Sequence, residues 1–155
     1  MDDKSFLESW EIHNRINLYL LEAIAPASLP GLSASKGRNV GEQFAHIHNV
    51  RLMWLKAAAP ELLKGLAKLE KEDALDKKLL RKSLSDSSVA IRSLLEQSLA
   101  QGGKVKGFKP NVAAFLGYLI SHESHHRGQI ALSLKQAGTA LDKKTQFGIW
   151  EWGVR

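Results

Sequence analysis

Apolar residues recur along most of this chain at intervals of three and four, and four such stretches predict four helices. The first, over about residues 3–24, sets Phe6, Trp10, Asn17, Leu21 and Ile24 along one face, with Asp2 or Asp3 placed to cap its start. Pro26 stops it, and a loop rich in Pro, Gly and Ser runs to Gly37. The second begins at Asn39, which has the capping-box spacing to Glu42, and ends near Ala59 ahead of Pro60. A short helical piece is expected over residues 61–69. The third covers about residues 76–100, with Leu80, Leu84, Ser87, Ile91, Leu94 and Leu95 as a narrow seam that Gly102-Gly103 closes. The fourth follows Pro110 and lasts to about Ala137, with Gly138 just past its end. Beyond it, a tail over about residues 142–155 carries Phe147, Trp150 and Trp152, and so many large aromatics are expected to pack back on the helices. Long helices, short to medium connections and little strand signal predict an all-α antiparallel four-helix bundle, one domain over residues 1–155.

Composition narrows the chemistry. The 155 residues include no cysteine, so disulfides, thiolate ligands and a cysteine nucleophile are excluded, and a tight metal site must use imidazole or carboxylate. The N-terminus has no basic segment followed by an apolar run, and the most apolar stretch, residues 112–120, is far short of the ~20 residues that span a bilayer. A cytoplasmic protein without a membrane partner is expected. The net charge of +6 raises nucleic acid as a partner, but much of the excess lies in residues 64–82, where Glu70, Glu72, Asp73 and Asp76 interleave with the lysines. That pattern marks a solvated helix face, and no nucleic-acid partner is expected.

The chemistry is concentrated in Ser121-His122-Glu123-Ser124-His125-His126-Arg127-Gly128-Gln129. Four residues of helix turn about 400°, so His122 and His126 share a heading, which is also that of Phe115, Leu119, Ile130 and Ser133. Two imidazoles at this spacing on an apolar stripe can grip one divalent ion, and burying them bare would cost free energy. His125 points about 60° aside, toward the rim. Glu123, about 100° from His122, reads as an ordinary helix-face carboxylate, and Arg127 as a surface ion-pair or capping residue. The same letters spell His-Glu-x-x-His, the zincin motif. However, no histidine follows, only Asp142 and Glu151 follow as carboxylates, and no edge strand precedes to align a peptide. A third ligand must come from an earlier helix, where His13, His46 and His48 are the candidates. The helical wheel groups His48 with Phe44, Arg51 and Leu55, and His46 with Gln43, Val50, Met53 and Ala57; its simple apolar average favours His48. Arg51 fits either a position near the cavity or an exposed one.

The segments Asn39-Val40-Gly41-Glu42-Gln43-Phe44-Ala45-His46-Ile47 and His122-Glu123-Ser124-His125-His126-Arg127-Gly128-Gln129-Ile130 resemble the two signature helices of the DinB/YfiT-like family, and the resemblance runs over nearly the whole chain, tail included. It implies a four-helix bundle containing a crossover, often dimeric, with a three-histidine site for a divalent metal, zinc or nickel foremost. The ligands it implies are His46, His122 and His126. It further implies a small-molecule substrate and a metal-dependent enzyme that activates a low-molecular-weight thiol or water against an electrophile. A metal-binding, stress-related module without turnover is the alternative. His125, Glu123 and Gln129 are the candidate orienters of the ligating rings.

Overall fold

Each long helix begins on a side chain that takes up its first free amides, in a computed structural model that describes residues 2–155. The Asp2 carboxylate accepts from the Ser5 amide at the start of α1 (Asp3–Glu22). At the start of α2 (Val40–Ala58), Asn39 accepts from the Glu42 amide at 2.8 Å, and the Glu42 carboxylate accepts from the Asn39 amide at 3.1 Å. This is the capping box that the spacing predicts. Asp76 caps α3 (Lys77–Ala100) and Asn111 caps α4 (Val112–Gln136). Gly102 and Gly138, at φ of 78° and 84°, end α3 and α4 in a conformation that costs any other residue strain. Residues 61–69 depart from expectation. Only a 3-10 turn, Pro60–Leu63, forms there, and the chain then runs irregularly under α2, where Asn49 bonds both the amide and the carbonyl of Leu69 at 2.9 Å.

The helices do not simply alternate in direction. The N-terminal half of α1 meets the C-terminal half of α3 (Glu11–Arg92), while its C-terminal end meets Lys77 and Arg81, so α1 and α3 are antiparallel. α2 and α4 are likewise antiparallel, with Gln43 against Gln129 and Trp54 against Phe115. By contrast, α2 runs parallel to α3, since Gly41 abuts Ala74 and Arg51 reaches Leu84. α1 runs parallel to α4, with His13 at Glu123 and Asn17, one turn further on, at Arg127. Residues 59–76 must therefore return along the bundle before α3 can start, which is the crossover that periodicity could not reveal.

Two apolar cores fill the bundle. One gathers Trp10, Leu55, Ile91, Leu95, Phe115 and Leu119; the other gathers Leu20, Leu29, Phe44, Ile47, Leu84 and Ile130. Full burial of each such side chain contributes roughly 1.5–3 kcal/mol. Between the cores lies a polar layer of His13, Asn14, Asn17, Arg51, Ser87 and Glu123, all buried. The metal candidates sit at the edge of this layer.

Gly41 lets α2 press against the backbone of the crossover. A Cβ at this position would lie 1.9 Å from the Ala74 carbonyl oxygen. Gly41→Ala is therefore expected to destabilise the fold by about 1–3 kcal/mol, measured by urea denaturation, because α2 must move away from the turn that holds Ala74. The tail packs back, as expected, but not through Phe147 or Trp150; Trp152 is half-buried. Gly148 closes against the Tyr19 hydroxyl and the Arg155 guanidinium lies 3.7 Å over the Tyr19 ring, whereas Phe147 and Trp150 are 69% and 76% exposed. No helix among the described residues is long and apolar enough to cross a membrane.

Candidate metal centre

His46 from α2 and His122 and His126 from α4 meet at the antiparallel α2–α4 contact. Each offers a ring nitrogen, and these lie within 4.8 Å of one another. The ring centroids are 4.6 Å apart for His46–His126 and His122–His126, and 5.4 Å for His46–His122. The one-turn spacing of His122 and His126 brings their Nε2 atoms to 3.1 Å. A tetrahedral ion with bonds of ~2.0–2.1 Å holds its ligand atoms about 3.4 Å apart, so this pair already stands at ligand separation.

The surroundings keep the rings uncharged. Burial first, then the neighbouring imidazoles, lower the His126 pKa to about 3; burial, then Arg38, lower that of His46 to about 4. Burial also lowers His122, although Glu123 pulls the other way. Two adjacent neutral imidazole nitrogens share one hydrogen. The His46 ring makes no hydrogen bond within the described residues, and the buried Nδ1 of His122 has no partner. Three neutral imidazoles whose ring nitrogens converge within 4.8 Å form a donor set that suits a divalent transition ion, which takes the place of the shared hydrogen. A cleft of about 360 Å3, lined by Arg38, Glu42, His46, Asn49 and Lys71 among others, opens beside His46. Arg38 is exposed and has no ion-pair partner among the described residues.

The other histidines are placed elsewhere. His48, which the apolar average favours, has Nδ1 at 3.0 Å from the Ser83 carbonyl and Nε2 at 2.8 Å from that of Ala67, so neither nitrogen faces the cluster. His13 is buried in the polar layer, and His125 is at the exposed rim, as its heading predicts.

Glu123 and Arg127 correct the sequence reading. Neither is a surface residue. Glu123 is 1% exposed and accepts from Arg51 Nε and Nη2, Asn17 Nδ2 and His13 Nε2 at 2.7–2.8 Å. Arg127 is buried and donates to Asn17 at 2.6 Å and Ser124 at 2.7 Å. Arg51 is fully buried, lies 4.8 Å over the Trp10 ring and also donates to Leu84 O and Asn14. The sequence held a signal for this network. Arg51 lies on an apolar stripe and so requires a buried counter-charge, and Glu123 is the lone carboxylate in α4.

The network has a definite pH signature. His13 Nε2–H donates to Glu123, and its Nδ1 accepts from Arg127 at 3.3 Å; burial holds it neutral, below the ordinary 6.5, against the pull of the carboxylate. Burial alone would raise the Glu123 pKa, but the charge and hydrogen bonds of Arg51 outweigh it and hold the group far below 4.5. As pH falls, the unfolded chain therefore protonates His13 below 6.5 and Glu123 below 4.5 while the native state resists both. The unfolded state binds more protons, so stability falls with pH. The Tm of the metal-free protein is expected to drop between about pH 7 and pH 4, most steeply in the lower half of that range. A flat profile would contradict an ionised Glu123.

An all-helical bundle that draws three imidazoles together, with no carboxylate or thiolate among them, defines a class of helical proteins with a candidate three-histidine metal centre. The DinB family matches the chain over residues 1–145, and the chain belongs to that family. The match stops short of Trp150 and Trp152. No curated protein and no solved structure matches the chain at a significant level.

Proposed function

We propose that this chain binds one divalent ion, zinc or nickel, through His46, His122 and His126, and uses it to activate a low-molecular-weight thiol or water against a small electrophile. The convergence of those three neutral imidazoles at the α2–α4 contact carries the reading. An ion held by three protein ligands keeps a further position open and lowers the pKa of a thiol or water bound there. The chain's own residues do the rest. Burial keeps the rings in the form that offers lone pairs, and Arg38 favours an anionic group in the adjoining cleft. In the transfer, the thiol gives its proton to solvent and its sulfur bonds the electrophilic carbon. The leaving group departs with the electron pair of the broken bond.

The zincin alternative has less support, because Glu123 is committed to Arg51, Asn17 and His13 and turns away from the rings. The module without turnover shares the metal site and differs only in the reaction.

Elemental analysis after dialysis against zinc or nickel tests the site. One ion per chain is expected in the wild type and in His48→Ala, and a loss in His46→Ala, His122→Ala and His126→Ala. Retention by His46→Ala with loss by His48→Ala would overturn the ligand set. For the thiol, cobalt-substituted protein titrated with glutathione or bacillithiol should develop a sulfur-to-cobalt charge-transfer band in the near ultraviolet. Tight cobalt binding with no band for any small thiol would leave water as the activated group.

A further inference from the structure

We propose that Gln43 is a positioning residue that selects which nitrogen of His126 faces the metal. The inference rests on His126 being a ligand, but its central observation concerns the metal-free protein. Gln43 stands on α2 three residues before His46, and its side chain is 5% exposed at the contact with α4. Its Oε1 lies 2.6 Å from His126 Nδ1. A carbonyl oxygen only accepts, so Nδ1 carries the hydrogen, and a neutral imidazole has one to give. His126 Nε2 is then left as a bare lone pair, and it is the nitrogen that faces His122 Nε2 at 3.1 Å.

The amide of Gln43 is itself held in orientation. Its Nε2 donates to Gln129 Oε1 at 2.9 Å, and Gln129 Nε2 donates to His125 Nε2 at 2.9 Å. Turning Gln43 over while Gln129 keeps its place would set oxygen against oxygen at Gln129 and N–H against N–H at His126. The direction of the whole chain, from the rim at His125 to the buried ring of His126, thus agrees with one tautomer. The other two rings have no such support, since His46 has no hydrogen bond within the described residues and His122 Nδ1 lacks a partner. Preorganisation of the cluster therefore falls on Gln43. Gln129, one of the candidate orienters in the sequence, acts on the ligand only through it.

Long-range proton–nitrogen correlation spectra of histidine-labelled, metal-free protein test this without any metal. The wild type should show His126 as the Nδ1–H tautomer. Gln43→Met, near in shape but without the strong acceptor, should shift the ring toward Nε2–H. It should also weaken zinc binding by about 10–100-fold in competition with a chromophoric chelator. Gln43→Glu, which keeps the acceptor, should restore both tautomer and affinity. A wild-type His126 already in the Nε2–H form would overturn the proposal even if no variant folds, as would a Gln43→Met protein with unchanged tautomer and affinity. A wild type with the expected tautomer that takes up no zinc would uphold the role of Gln43 and sink the metal reading instead.

Discussion

Glu123→Ala is expected to destabilise the protein by about 3–5 kcal/mol, the largest effect of any single substitution outside the apolar cores. The carboxylate takes four hydrogen bonds at 2.7–2.8 Å, two of them from Arg51, which is wholly buried. Its removal leaves a guanidinium in the bundle interior without its counter-charge, and leaves His13 and Asn17 with donors that have lost their acceptor. A buried ion pair adds little net stability over a well-packed apolar replacement, because both charges were taken out of water to form it; removing one partner is costly. Single domains are stable by about 5–15 kcal/mol, so the variant should be close to unfolding at room temperature. Urea denaturation of the metal-free protein measures the effect directly. A change under about 1 kcal/mol would mean that water enters the layer and solvates Arg51, contrary to its burial.

The second large effect is stabilisation by the ion. A ligand that binds only the native state, at 100-fold over its Kd, adds about 2.7 kcal/mol. For a chain of this length each kcal/mol moves the Tm by roughly 2–4 °C. Zinc or nickel should therefore raise the Tm of the wild type by roughly 5–11 °C. The His126→Ala variant should show no rise, because two imidazoles and water remain where three rings met. His48→Ala should keep the rise while starting from a lower Tm, since its ring ties α2 to the carbonyls of Ala67 and Ser83. This double pattern separates a ligand from a structural histidine. A metal-induced rise that survives His126→Ala would place the ion elsewhere.

Much of this protein is decided locally, and that part could be read from the chain. Helix starts depend on one side chain three residues from the amide it caps, so Asn39 with Glu42 and the stop at Gly138 were legible. The four-residue spacing of His122 and His126 is a property of any helix, and it puts two imidazoles on one face wherever the helix lies.

Tertiary structure decided the rest, because those features depend on which helices touch. α2 is packed on one face by α3 and on another by α4, so both headings are interior and an apolar average could not choose between them. His48 met the carbonyls of Ser83 in α3 and Ala67 in the crossover, and His46 met the imidazole pair, for that reason. Glu123 looked like a surface carboxylate within its own helix, and only the arrival of Arg51 from α2 with His13 and Asn17 from α1 made its burial tolerable. Spacing along one helix fixes what shares a face; the partner across the interface fixes what that face can bind.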